Sequence, residues 1–145
     1  MFRIFTLVSL LVLTTACDYL PTIGGKLVGE ATPVPADWKV AASPSVIKLE
    51  TNPSEPYSVK LWIVGMGPVA YIHAGANLTT WVEHIEADPR VKILSEGKLY
   101  ELKAERVTSQ EEFDRMAEVY DAKYGNRPRN EDIEEIYLYR LVARD

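Results

Sequence analysis

Cysteine is almost missing from this sequence: Cys17 stands alone among 145 residues. That excludes intrachain disulfides and cysteine-rich metal centres. Histidine is nearly as scarce, with only His73 and His84, and a zinc site needs three or four ligands. The two histidines would have to recruit Glu83 or Glu86, so no metal is expected. Pairing His84 with Asp88 for Ser-His-Asp chemistry lacks a nucleophile elbow around any serine. The longest apolar stretch, Ile4 to Leu13, is far shorter than the roughly 20 residues that cross a bilayer. Positive charge is in deficit, with 16 Lys and Arg against 21 Asp and Glu and a formal net charge of -5. Proteins that track nucleic-acid phosphates carry the opposite balance, so nucleic acid is not an expected partner. Repeats and low-complexity tracts are also lacking. What is present, 47% apolar and 26% charged residues, suffices for one compact domain.

Arg3, the apolar run and the small residues Thr14-Thr15-Ala16 are the three parts of a secretory signal. Cys17 follows directly, and the stretch resembles the lipobox of bacterial lipoproteins, with Leu13 one place early. The resemblance implies a signal peptide over 1–16, acylation of Cys17 and attachment to the membrane through that lipid. Acyl chains contribute about 0.8 kcal/mol per buried methylene, so two or three of them anchor a protein stably. Asp18 resembles the signal that keeps enterobacterial lipoproteins on the periplasmic face of the inner membrane. An acylated Cys17 leaves no thiol for catalysis.

From Asp18 to Pro35 the composition shifts, with Pro21, Gly24, Gly25, Gly29, Pro33 and Pro35 breaking every periodicity. Residues 17–36 are therefore expected to be a lipidated, flexible tether, and 37–145 the domain. Period-two alternation predicts strands over Val46 to Glu50, Tyr57 to Ile63, Val69 to His73, Val91 to Leu94, Leu99 to Val107 and Ile136 to Val142. Leu78, Trp81, Val82 and Ile85 recur at helical spacing, with Thr80 and Glu83 as a capping box. Ser109 and Glu112 predict a second helix, carrying Phe113, Met116, Ala117, Tyr120 and Tyr124 and ending at Gly125. The expected fold is α+β: a small, six-stranded, mostly antiparallel barrel with two flanking helices.

The segment Trp81-Val82-Glu83-His84-Ile85-Glu86-Ala87-Asp88-Pro89-Arg90-Val91 resembles the helix-to-strand junction of the split β-barrel family. The likeness is to its deazaflavin- and flavin-dependent nitroreductase-like branch, and it covers about Val46 to Val142. It implies a flavin or deazaflavin held against the barrel, often beside a homodimer interface, and hydride transfer to a small oxidised substrate. It also places the His73-Ala74-Gly75-Ala76 loop and Trp81 at the cofactor ring. Such relatives grip the cofactor phosphate with a basic loop between the first two strands. Here that loop is Glu50-Thr51-Asn52-Pro53-Ser54-Glu55-Pro56, with two acids and no base, leaving only the flanking Lys48 and Lys60 to substitute. Carboxylates would repel a phosphate. The reading that follows is an envelope lipoprotein with a non-catalytic module for a small ligand or protein, and no cofactor expected. The alternative is a flavin- or deazaflavin-dependent oxidoreductase using Lys48, Lys60, His73, Gly75 and Trp81. Trp38, Trp62 and Trp81 are each candidates to stack a planar ligand, with the core as their more ordinary place.

Overall fold

Alternating burial along the chain dictates a sheet with one lined face. The computed structural model describes residues 24–145, so the signal peptide, Cys17 and the first part of the expected tether lie outside the described residues. Strand β1 (Glu30–Ala31) is followed by β2 (Ile47–Thr51), β3 (Tyr57–Leu61), β4 (Val64–Met66) and β5 (Val69–His73). Helix α1 (Thr80–Ala87), β6 (Arg90–Ser95), β7 (Lys98–Arg106), α2 (Gln110–Tyr124) and β8 (Leu138–Ala143) complete the chain. The sheet runs β3-β2-β6-β7-β8-β5-β4 with antiparallel neighbours, while β1 pairs in parallel with the start of β7.

This order forces curvature. Laid flat, seven strands at about 4.8 Å spacing would put the outermost two roughly 29 Å apart. Those strands are β3 and β4, and only Trp62 and Ile63 join them, a link of at most about 11 Å. The sheet must therefore curl so that its two ends approach, giving the mostly antiparallel α+β arrangement with two helices that was expected. The expected count of six strands rises because β4 is a separate short strand after that link and because β1 exists at all.

Leu49, Ile72, Ile93, Leu102 and Leu141 fill the curl together with Trp38, Trp81 and Tyr139. A second cluster packs Phe113, Met116 and Ala117 of α2 onto Val64, Ile136 and Leu138. Gly125 caps α2 at φ 80°, its N–H donating to Asp121 O at 2.8 Å, as its position predicts. The capping box is half formed. Ser109 Oγ accepts from Glu112 N–H at 3.3 Å, but the Glu112 carboxylate goes instead to the Tyr71 hydroxyl and the Arg140 guanidinium. Burial, then this carboxylate, push the Tyr71 phenol up to about 12. At α1 the expectation fails: Thr79, not Thr80, is the cap, and its side chain makes no cap hydrogen bond. Leu78 lies outside the helix and is 58% exposed, so it does not share the buried face of Trp81, Val82 and Ile85.

The larger correction concerns residues 24–36, read from composition as tether. They are laid across the outer face of the sheet as a strap. Gly24 exchanges two backbone hydrogen bonds with Ser58, at 3.2 and 2.5 Å. Leu27 is buried, and its N–H donates to the Glu50 carboxylate at 2.6 Å. Further on, Glu30 N–H bonds to Gly97 O at 2.8 Å and Thr32 N–H to Leu99 O at 2.9 Å. The glycines serve close approach here: a Cβ on Gly29 would stand 2.6 Å from Leu94 Cδ1 and 2.9 Å from Gly97 O. Glu50 is 4% exposed, with Lys92 Nζ 3.9 Å away, so it is the strap's main polar fastening. Hydrogen bonds to charged groups contribute about 1.5 to 3 kcal/mol. Glu50→Ala is therefore expected to destabilise the domain by about 2 kcal/mol in urea titrations, while exposed Glu55→Ala changes it by less than about 0.5 kcal/mol.

Candidate functional site

Lys48 and Lys60 face each other directly across the β2–β3 hairpin. Both are exposed, and among the described residues neither has a carboxylate within ion-pair distance. Like charges placed opposite one another on a sheet repel, so an uncompensated pair is an unfavourable arrangement unless an anion joins it. The two lysines border a groove of about 450 Å³ lined also by Val46, Ile47, Leu94, Ser95, Glu96 and Gly97. That volume falls within the usual range for small-ligand sites. Glu96 is the only acid in the lining, leaving a positive balance. The strap closes one side, since Gly24 and Ser58 join Lys48 and Lys60 around a smaller adjoining hollow.

Of the two acids expected to repel an anion, one is engaged and the other distant. Glu50 shares the outer face of β2 with Lys48, but its carboxylate is buried under the strap on Leu27 N–H, with Lys92 beside it. Glu55 is in the hairpin loop, which begins beyond the Thr51–Tyr57 pair, three rungs from Lys48–Lys60. Three rungs are about 10 Å along the strands, more than the roughly 8 Å over which physiological salt screens exposed charges. The lysines do not flank that loop as the bare sequence suggested; they sit at the opposite end of the hairpin.

Trp81 is 5% exposed, packed edge-on to Tyr139 at 6.1 Å between centroids, and is part of the core. Its ring offers no face to a ligand. Gly75 takes φ 58° and accepts Tyr137 N–H at 2.8 Å, and its own N–H donates to His73 Nδ1 at 3.3 Å. The turn is held by these two hydrogen bonds, one to backbone and one to the His73 side chain. His73, at the end of β5, is largely buried, which pushes its pKa down and favours the neutral ring. With Nδ1 accepting, the proton resides on Nε2.

The exposed tryptophan is Trp62, with 46% of its surface open. It stacks on Tyr124 at 4.3 Å and 10°, and Tyr120 lies 5.8 Å away. Tyr120 in turn meets the His73 ring at 5.3 Å. This aromatic patch adjoins the groove through Tyr124, whose hydroxyl bonds to Ser45 O at 2.8 Å, next to Val46. Lys123 fixes the same corner, donating to Ala42 O, Pro44 O and Ile63 O at 2.6 to 2.8 Å. The predicted residues thus divide: Lys48 and Lys60 come together, His73 lies beside the aromatic patch, and Trp81 joins neither. Tyr120 and Tyr124 were visible in sequence only as helix-face residues, and Trp62 was one tryptophan of three.

Among the described residues, no group of three or more His, Cys, Asp or Glu side chains is arranged to hold a metal ion. His84 Nδ1 instead meets the Thr51 hydroxyl at 2.9 Å.

No family model matches the chain, and no curated protein sequence does. Solved structures share its fold. A candidate 5-nitroimidazole antibiotic resistance protein of Bacteroides thetaiotaomicron superposes with a TM-score of 0.60 at 11% identity, over 74% of this chain and 77% of that one. A candidate pyridoxamine 5'-phosphate oxidase of Listeria innocua gives 0.55 at 15% identity, over 70% and 86%. An FAD-binding protein of Mesorhizobium loti gives 0.54 at 15% identity, over 74% and 86%. At such identities the likeness establishes a common fold.

Proposed function

We propose that this protein binds a flavin or deazaflavin through its phosphate at Lys48 and Lys60, as an oxidoreductase-type split barrel tethered to the membrane by a lipid on Cys17. The observation that carries the reading is the uncompensated lysine pair at the groove, with Glu50 turned away beneath the strap. Shared fold with an FAD-binding protein and a candidate pyridoxamine 5'-phosphate oxidase supports it. The reading of a non-catalytic module rested on repulsion by Glu50 and Glu55; Glu50 is engaged by Leu27 N–H with Lys92 beside it, and Glu55 lies beyond the third rung from the lysines.

The chain's own residues supply binding and exclusion. Two ammonium groups give a phosphate monoester charge-assisted hydrogen bonds, the stronger kind. Val46, Ile47 and Leu94 give the ligand an apolar wall. A bound flavin would supply hydride transfer, and Lys48 and Lys60 would hold its charged end.

The test is a titration of the chain lacking residues 1–16 and carrying Cys17→Ser with flavin mononucleotide, followed by flavin fluorescence. Binding near 1 μM is expected, a free energy of about -8.2 kcal/mol. Binding weaker than about 100 μM, near -5.5 kcal/mol, for both flavin mononucleotide and a phosphorylated deazaflavin would return the protein to the non-catalytic class. Anchoring is checked separately by radiolabelled fatty acid, which the full chain should incorporate and Cys17→Ser should not.

A further inference from the structure

We infer that the corner of the fold carrying Trp62 is the surface that this protein lays on the lipid–water boundary of its membrane. The inference takes the proposed lipid on Cys17, on which it rests, from attachment to orientation. Six residues, Asp18 to Ile23, separate Cys17 from Gly24. Seven residue steps span at most about 25 Å, so the lipid is never farther than that from Gly24. Gly24 is itself pinned: it exchanges both backbone hydrogen bonds with Ser58 in an antiparallel bridge at the outer edge of β3, an end strand of the sheet. After Gly24 the strap runs toward the loop end of the β2–β3 hairpin, where a Cβ on Gly25 would lie 3.7 Å from Pro56 O. The chain therefore enters Gly24 from the other end of β3, the end that leads to Lys60 and Trp62. Ser58 and Trp62 are four residues apart, about 13 Å in extended chain and within reach of the tether.

The surface at that end suits such a boundary. Trp38 is fully buried and Trp81 nearly so, whereas Trp62 stands half open to solvent. Tyr124 stacks on its indole, and the Tyr124 hydroxyl is fastened to backbone at Ser45 O and at Ile63 N–H. The indole is thus held in place before it meets a partner, so little side-chain freedom is lost on contact. Val46, next to Ser45, is also exposed and continues the apolar corner. Tryptophan and tyrosine gather at membrane interfaces because each has an apolar ring with a polar tip. Charge favours no such contact for the chain as a whole, since its formal net charge of -5 has the sign of an anionic leaflet. A contact of a few side chains is weak alone, but a tether this short holds it at a local concentration on the order of millimolar, where weak contacts persist.

The test takes the chain from Cys17 onward and couples its one thiol to a maleimide-bearing lipid in phosphatidylcholine vesicles, with or without a nitroxide on the choline headgroup. The nitroxide quenches indoles at headgroup depth. The emission that Trp62→Phe removes belongs to Trp62, and the nitroxide should lower that share at least twofold. Trp62→Phe itself, left with the buried Trp38 and Trp81, should emit equally in both vesicles. Adding Glu111→Trp to Trp62→Phe places an indole at the far end of α2, about 20 Å from Tyr124 at the helical rise. Its emission should fall by less than about a tenth. Both substituted positions are exposed, so the fold is retained. Equal quenching at the two positions, or none at Trp62, overturns the inference. If the full chain incorporates fatty acid while Trp62 stays unquenched, the anchor stands and this orientation falls. If Trp62 is quenched in the coupled protein while the full chain takes up no fatty acid, the anchor falls, and with it the membrane as the natural partner of this corner.

Discussion

Trp81→Ala is expected to lower the unfolding free energy by about 3 to 5 kcal/mol, as for other fully packed large aromatics. Trp81 is nearly buried on α1, is packed with Val82 and Ile85 against the sheet, and abuts Tyr139 of β8. The helix is only eight residues long. A helix of that length has little stability of its own in water, so its formation depends on the side chains it buries. Removing Trp81 takes away the largest of these and opens a cavity between α1 and β8. Domains of this kind are stable by about 5 to 15 kcal/mol, so the loss is a large fraction of the whole. Urea unfolding followed by circular dichroism measures it. Leu78→Ala, three residues earlier yet exposed, should change stability by less than about 0.5 kcal/mol. Equal losses from the two substitutions would show that the α1 packing described here is wrong.

Reversing one lysine charge should have the largest effect on ligand binding. Lys60→Glu replaces an opposed pair of cations by a cation and an anion, which satisfy one another across the hairpin. A phosphate then loses one charge-assisted partner, worth about 1.5 to 3 kcal/mol, and meets a carboxylate in its place. Flavin mononucleotide affinity should fall more than 100-fold, about 2.7 kcal/mol or more. The same variant should be as stable as wild type or slightly more so, because cross-strand repulsion has been exchanged for attraction. Lost affinity with retained stability separates a ligand site from a structural one. Raising the salt concentration should weaken wild-type binding and leave the residual binding of Lys60→Glu nearly unchanged.

Much of the fold was legible because strands and helices advertise themselves by period. Tyr100, Leu102 and Ala104 along β7, and Phe113, Met116 and Tyr120 along α2, are buried as their spacing predicts. The candidate site was less legible, because it depends on pairings between strands. That Lys48 meets Lys60 is a matter of register in a hairpin whose loop length alone leaves the rungs unassigned. Glu50 follows the same logic: as a residue in a string it reads as a repelling charge, and only the strap above it makes it a buried acceptor. Trp81, expected at the cofactor ring, lies in the core, and of the three tryptophans offered as stacking candidates only Trp62 is exposed. Glycine and proline between residues 24 and 36 indicated a flexible chain; the same smallness lets the strap lie flat on the sheet.

The strap also bears on the order in which the chain folds. Glu30 pairs with Lys98 and Gly24 with Ser58, contacts that span 68 and 34 residues. Contacts of such separation close late, after the hairpins and the β6–β7 pair have reduced the loops between them. A contact absent from the folding transition state affects the rate of leaving the native state and hardly the rate of reaching it. The Glu50 fastening should therefore appear in the unfolding limb of a chevron plot, with Glu50→Ala accelerating unfolding while refolding runs at its wild-type rate. The first residues of the domain to emerge during synthesis would thus be the last to be put in place, acting as a latch on kinetic persistence.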